Sequence, residues 1–235
     1  MPPVVRGQAA YDCDEGRPFT ATKAEYIVSH APDGTEFKQD FRGRAVRDSN
    51  GQTYSELRSV RVESPRTQSE EARTALHLGH PSELRIDSII SISDCHSGKT
   101  IAVFPELKSV RVSKNNNAWP WNRWNGVLYF EFLTSGPRPA NVIFEDLGLK
   151  EVEGVPTHGY RETILGTQDD GEWIGRVRYV MESWISDDLA EIVLQIITNL
   201  KAMAETRIVL TDITREEPDA SLFEIPPGYT ISPAP

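Results

Sequence analysis

The chain reads as a mainly β protein. Two observations predict it: paired extended runs joined by Asp-Gly and Asn-Gly turns, and polar turn clusters that keep interrupting short apolar stretches. A third is the ending, EEPDASLFEIPPGYTI, where an acidic turn precedes a small apolar group, two prolines and Gly-Tyr. The length of 235 residues fits one large all-β unit.

The first strands are the clearest. AEYIVSH is followed by APDGTE, then FKQDFRGRAVRD, then the Asn-Gly turn, then QTYSELRSVRVE. Three strands with two short turns make a β-meander. TQSEEARTALHLG, residues 67–79, reads as a short helix, with Ser69 as cap, Glu70 and Glu71 in its first turn and Gly79 as its stop. ELRIDSIISISD and TIAVFPELKSVRVS read as strands around the turn CHSGK, with Pro105 marking an edge or a bend. KNNNAWPWNRWNG breaks the strand rhythm as a long loop and carries three of the five tryptophans. VLYFEFL resumes a strand, KEVEGVPTHGYRETIL bends at Gly-Val-Pro between two extended pieces, and WIGRVRYVMESWIS is another strand.

DDLAEIVLQIITNLKAMAET supports two readings. Leu189, Ile192, Val193, Ile196, Ile197, Leu200 and Met203 recur at helical spacing behind a possible cap at Ser186 or Asp187. The β-branched EIVLQIIT supports a strand, with NLKAM as a loop before AETRIVLTDITRE.

Composition narrows the function classes. At 38% hydrophobic and 26% charged, the chain is globular rather than disordered. A net charge of −10 repels phosphate backbones, so nucleic acid is not expected as a partner. The short basic cluster Arg42, Arg44 and Arg47 spreads over both faces of a strand. No apolar run approaches the roughly 18 residues of a membrane-spanning helix. The opening MPPVVRGQAAYDCDEG has no apolar core of signal-peptide length, which leaves a cytoplasmic chain or a mature one open.

Sites of chemistry are sparse. Cys13 and Cys95 read as two unpaired thiols, because a bridge needs an oxidising compartment and close backbones. Asp94, Cys95 and His96 sit in a hairpin turn, where neighbours point to opposite faces and a thiol–imidazole pair is not expected. His77 and His80, with Glu83, share a metal-like spacing, but Pro81 ends the helix and a solvated helix end is the expectation. Asp169, Asp170 and Glu172 around Gly171 lack calcium-loop spacing and read as a solvated turn, as do Asp187 and Asp188. No phosphate-binding, nucleophile-elbow or zinc-protease motif is present. The expectation is therefore no catalytic residue, metal or cofactor. Trp119, Trp121 and Trp124 are the candidate ligand- or partner-binding residues; the other reading has them plug a concave face.

Four segments carry a resemblance. RDSNGQTYSE (47–56), DLGLKEVEGVPTHGYRETI (146–164), ESWISDDL (182–189) and ETRIVLTDITREEPDASLFEIPPGYTI (205–231) resemble a family of uncharacterised exported bacterial proteins, similar in turn to the LolA/LolB lipoprotein-carrier fold. The resemblance covers roughly residues 38–112 and 145–231, and its terminal motif is the most specific part. Members usually begin with a signal peptide and often carry Asp-Pro-Arg where this chain has NLKAM. The resemblance implies a single curved antiparallel sheet, a half-barrel, with one or two short helices or loops against its concave face. It also implies a hairpin over 189–214, which decides between the two readings above. With no internal repeat or low-complexity tract, the chain reads as one domain over 1–235, irregular over 1–20, with a Trp-rich insertion at 113–126 that the resemblance does not cover and a C-terminal latch at 215–235. In that latch Phe223, with Leu222 or Ile225, packs back on the sheet. The resemblance further implies a periplasmic, non-enzymatic binding protein holding a lipid, a lipoprotein acyl chain or another apolar ligand. An envelope protein-interaction or sensory domain without a small ligand is the alternative.

Overall fold

A computed structural model describes residues 17–63, 88–114 and 140–233. Twelve strands form one sheet: β1 (Phe19–His30), β2 (Glu36–Arg47), β3 (Thr53–Glu63), β4 (Ser88–Asp94), β5 (Lys99–Phe104), β6 (Ser109–Lys114), β7 (Val142–Val152), β8 (Val155–Leu165), β9 (Val177–Ser186), β10 (Glu191–Asn199), β11 (Ala204–Thr214) and β12 (Thr230–Pro233). Their spatial order is β12-β6-β5-β4-β3-β2-β1-β11-β10-β9-β8-β7. Two meanders, β1–β6 and β7–β11, therefore meet where β11 pairs with β1. Every neighbouring pair is antiparallel except β12 with β6. The sheet is curved and does not close.

The turns form where their chemistry requires. Asp33 Oδ1 accepts the Thr35 amide at 2.9 Å between β1 and β2. Asp48 Oδ1 accepts the amides of Asn50 and Gln52 at 3.0 and 2.7 Å between β2 and β3. Both are side-chain turns of the Asx type. In mid-β2, Gly43 allows a close approach: a Cβ there would stand 1.8 Å from the Glu56 carbonyl oxygen of β3.

The hairpin over 189–214 forms as expected. The apolar spacing that suggested a helix comes from a strand buried on both sides, with a register shift between Ile192 and Leu194: Leu194 opposes Trp184 on one face, Gln195 opposes Ser183 on the other, and both are buried. Such a strand reads as a continuous apolar run rather than as alternation. Asn199 Oδ1 takes the Ala202 amide at 2.9 Å and closes the turn. Two other expectations need correction. TIAVFPELKSVRVS is two antiparallel strands, because Pro105 opens a 3-10 turn over Pro105–Leu107 and Lys108 adopts φ 44° to reverse the chain. The bend expected at Gly-Val-Pro lies one step earlier, at Glu153 and Gly154, which leaves Val155 and Pro156 inside β8. The helix over 67–79 and the VLYFEFL strand lie outside the described residues.

The C-terminal segment packs as a latch and does more. Leu222, Phe223, Ile225 and Tyr229 pack on a cluster of Val46, Tyr54, Ile92, Ile101, Val103 and Val110. Asp219 starts this segment by accepting the Ser221 amide at 2.9 Å. The tail then adds β12 alongside β6 in parallel register, Thr230 opposite Ser109 and Pro233 opposite Val112. A second cluster, including Phe19, Trp184, Leu189, Val193 and Leu210, holds the other half of the sheet.

Candidate functional site

Residues directly opposite in a sheet share a face. Phe19 is opposite Arg47, so both point to one side of the sheet. Arg47 is fully buried. Its Nη1 donates to the Leu189 carbonyl at 2.5 Å, and its Nη2 donates to the Ala190 carbonyl at 3.1 Å and to Glu191 Oε2 at 3.3 Å. Its guanidinium also lies 5.3 Å from the Phe19 ring centroid. β2 and β10 are separated by β1 and β11, about 14 Å on a flat sheet. An arginine side chain does not span that distance. The strand ends and the β9–β10 turn therefore curl towards the Arg47 face, and that face is the concave one.

The register assigns the concave face residue by residue. One row runs Tyr160, Ser183, Gln195, Ile208, Glu25 across β8, β9, β10, β11 and β1. The next row runs Phe144, Glu162, Met181, Ile197, Thr206, Ile27. Val142, Ile164 and Tyr179 follow. Phe144, Ile164, Tyr179, Ile197, Ile208 and Ile27 are half-buried, while Tyr160, Glu162, Ser183 and Gln195 are buried. The face is thus apolar in bulk with a few polar groups held at fixed places.

Those polar groups are oriented. Gln195 Nε2 donates to Ser183 Oγ at 3.1 Å and lies 3.5 Å from the Met181 sulfur. The partner of the Ser183 hydroxyl is an amide, which cannot accept a proton as a general base would. Burial, with Asp146 and Asp187 nearby, pushes the Tyr160 hydroxyl up to about 12. Burial also raises the Glu25 carboxyl, an effect that Lys23 partly offsets. Lys23 Nζ donates to Ser55 Oγ at 3.3 Å. At the β7 side, His158 Nε2 lies 2.7 Å from Asp146 Oδ1, and its ring stacks on Tyr160 with centroids 4.5 Å apart.

The sequence segments that carried the resemblance meet in space. Gly159 is opposite Trp184, and a Cβ on Gly159 would stand 2.5 Å from the indole. Arg161 is opposite Glu182 and donates to it through Nε at 3.0 Å and Nη2 at 2.6 Å. Glu217 accepts from the Ser49 amide and hydroxyl at 3.0 and 3.1 Å, and Arg215 pairs with Asp188. Arg47 joins the first segment to the third. These residues build the end of the sheet. Sequence reasoning placed Arg47 in a short basic cluster spread over both faces of a strand and missed its buried role.

The remaining candidates fall as follows. Trp119, Trp121 and Trp124 lie outside the described residues, as do His77, His80 and Glu83. Cys95 is disulfide-bonded, which corrects the reading of a free thiol; the one other cysteine of the chain is Cys13, outside the described residues. Spacing along the chain carries no information on which cysteines meet in space. Asp94 is a turn residue, accepting the His96 amide at 3.0 Å and the Ser97 hydroxyl at 2.6 Å, and these bonds hold its carboxyl below the usual range. Asp170 accepts the Thr167 amide at 2.7 Å and pairs with Arg178 at 2.5 Å, so its oxygens serve the turn. Among the described residues, no group of three His, Cys, Asp or Glu could hold a metal ion.

No family model and no curated protein matches the chain. Solved structures do. An uncharacterised conserved protein from Thermus thermophilus is similar at 8% identity and TM-score 0.45, over 93% of this chain and 91% of that one. The Pseudomonas aeruginosa MucA/MucB complex is similar at 12% identity and TM-score 0.42, over 90% of this chain and 56% of that one. A LolA superfamily protein from Nitrosomonas europaea is similar at 7% identity and TM-score 0.33, over 88% and 90%.

Proposed function

We propose that the chain is a non-enzymatic exported binding protein that holds a lipid or a lipoprotein acyl chain on its concave face. One observation carries this reading. The face towards which the sheet curls has half-buried apolar rows, broken by the buried Tyr160, Glu162, Ser183 and Gln195 and the half-buried Glu25 and Thr206. That composition suits a molecule with an apolar body and a polar end, since ligand sites are mostly apolar with a small number of placed polar groups. Tyr160, Ser183 and Gln195 would receive the polar end; Ile27, Ile197 and Ile164 would receive the chain. Trp119, Trp121 and Trp124 are proposed to lie against the same ligand, as large amphipathic rings suited to a boundary between apolar and polar groups. The disulfide at Cys95 supports export, because such bonds persist in oxidising compartments.

The test is native mass spectrometry of the purified protein, then denaturing extraction of whatever is bound. A co-purifying lipid, or a mass shift after incubation with phospholipid or acylated peptide, is the expected result. A clean unbound mass under both conditions overturns the reading and favours an envelope interaction domain without a small ligand.

A further inference from the structure

The face opposite the concave one holds a second feature. In a chain of net charge −10, Arg42 on β2 stands directly opposite Arg58 on β3. Arg44 follows Arg42 on the same face, and Arg207 of β11 lies opposite Tyr26 of β1. The Arg42 guanidinium sits over the Tyr26 ring, 4.4 Å from its centroid. Like charges directly opposite each other in a sheet destabilise it. Glu56 offsets part of this, taking Arg58 Nε at 2.8 Å and lying 3.6 Å from Arg44 Nε. Among the described residues, no carboxylate lies within ion-pair distance of Arg42 or Arg207. The patch reaches solvent: the Arg58 side chain is 66% exposed, Arg207 is exposed and Arg42 is half-buried between them.

We propose that Arg42, Arg58 and Arg207 form a docking surface for an extended acidic segment of a partner protein. Arginine forks bind carboxylates in two-bond geometry, and the Tyr26 ring fixes the place of the Arg42 guanidinium. Arg42 and Arg58 stand about 5 Å apart on neighbouring strands, and Arg207 lies two strands from Arg42, about 10 Å across the sheet, so the three cations form a row that crosses the strands and that an extended chain can follow. The acids within and beside the patch select against a bilayer. Glu56 and Asp40 would repel a continuous anionic surface, yet they leave room for single carboxylates between Arg42 and Arg58. This surface does not depend on the lipid-binding reading, which concerns the other face.

The probe is a fluorescein-labelled octapeptide of alternating Glu and Thr, titrated into the full chain and followed by anisotropy. Saturable binding that weakens in 0.5 M NaCl is expected. R42Q/R58Q should weaken it about tenfold and R207Q about threefold, with melting temperatures close to wild type. If R42Q/R58Q melts far below wild type, R207Q alone decides. No binding by wild type, or equal binding by the variants, overturns the proposal. So does tighter association with phosphatidylglycerol vesicles than with the peptide.

Discussion

Replacing Arg47 by Met tests the structural logic of the whole concave end. The side chain is fully buried and donates to one turn at three points: two carbonyls and the Glu191 carboxylate, at 2.5, 3.1 and 3.3 Å. Methionine fills similar length but donates nothing. The Leu189 and Ala190 carbonyls, both on residues shielded from water, lose the Arg47 donors, and Glu191, with its side chain only 22% exposed, loses the Arg47 guanidinium. Removing one partner of a buried pair costs about 3–5 kcal/mol, because the other charge stays behind. For a chain of this length the matching fall in melting temperature is about 6–20 °C. Guanidinium unfolding of wild type, R47M, E191Q and the double variant measures it. The double variant should lose less than the sum of the single variants, because once one partner is gone the other has less to lose. Arg44→Met on the opposite, exposed side is the control and should stay within about 1 kcal/mol. If R47M also stays within about 1 kcal/mol, or if the two sites are additive, the claim that Arg47 ties β2 to the β9–β10 turn fails.

Three further outcomes are expected. Gly159→Ala should lose about 1–3 kcal/mol in chemical unfolding, since its Cβ would meet the Trp184 ring at 2.5 Å, and a shift in indole fluorescence should accompany the loss. Tyr160, whose hydroxyl is raised to about 12, keeps its proton in the folded chain after the unfolded chain has released it near pH 10, so stability should fall by roughly 1–2 kcal/mol between pH 10 and 12; Tyr160→Phe should flatten that part of the curve, and an unchanged slope would count against the burial of the hydroxyl. Thiol titration of the unfolded, unreduced protein should find no free cysteine, whereas thiols that react without reductant would contradict the bond at Cys95.

The local signals in this sequence are strong because turn chemistry is local. Asp33-Gly34, Asp48 through Gly51 and Asn199 each set a hairpin through bonds that span a few residues. The terminal apolar group was legible as a latch for the same reason: Phe223 and its neighbours have nothing apolar nearby in sequence to pack on. In β10 local pattern misled, because burial on both faces erases the period of two and leaves a spacing that a helix also satisfies. Long-range partners were not legible. Nothing in the order of residues says that β11 returns beside β1, that the tail runs parallel to β6, or that the alternation of β8–β11 lines up Tyr160, Ser183, Gln195 and Glu25 on one face. Register decides those, and register is a property of strand pairs. Arg47 is the sharpest case. By itself the sequence placed a cation at a strand end, where solvent is the ordinary surrounding. Only the curl of the sheet, which brings the β9–β10 turn over that strand end, provides the carbonyls and carboxylate that let the charge stay buried.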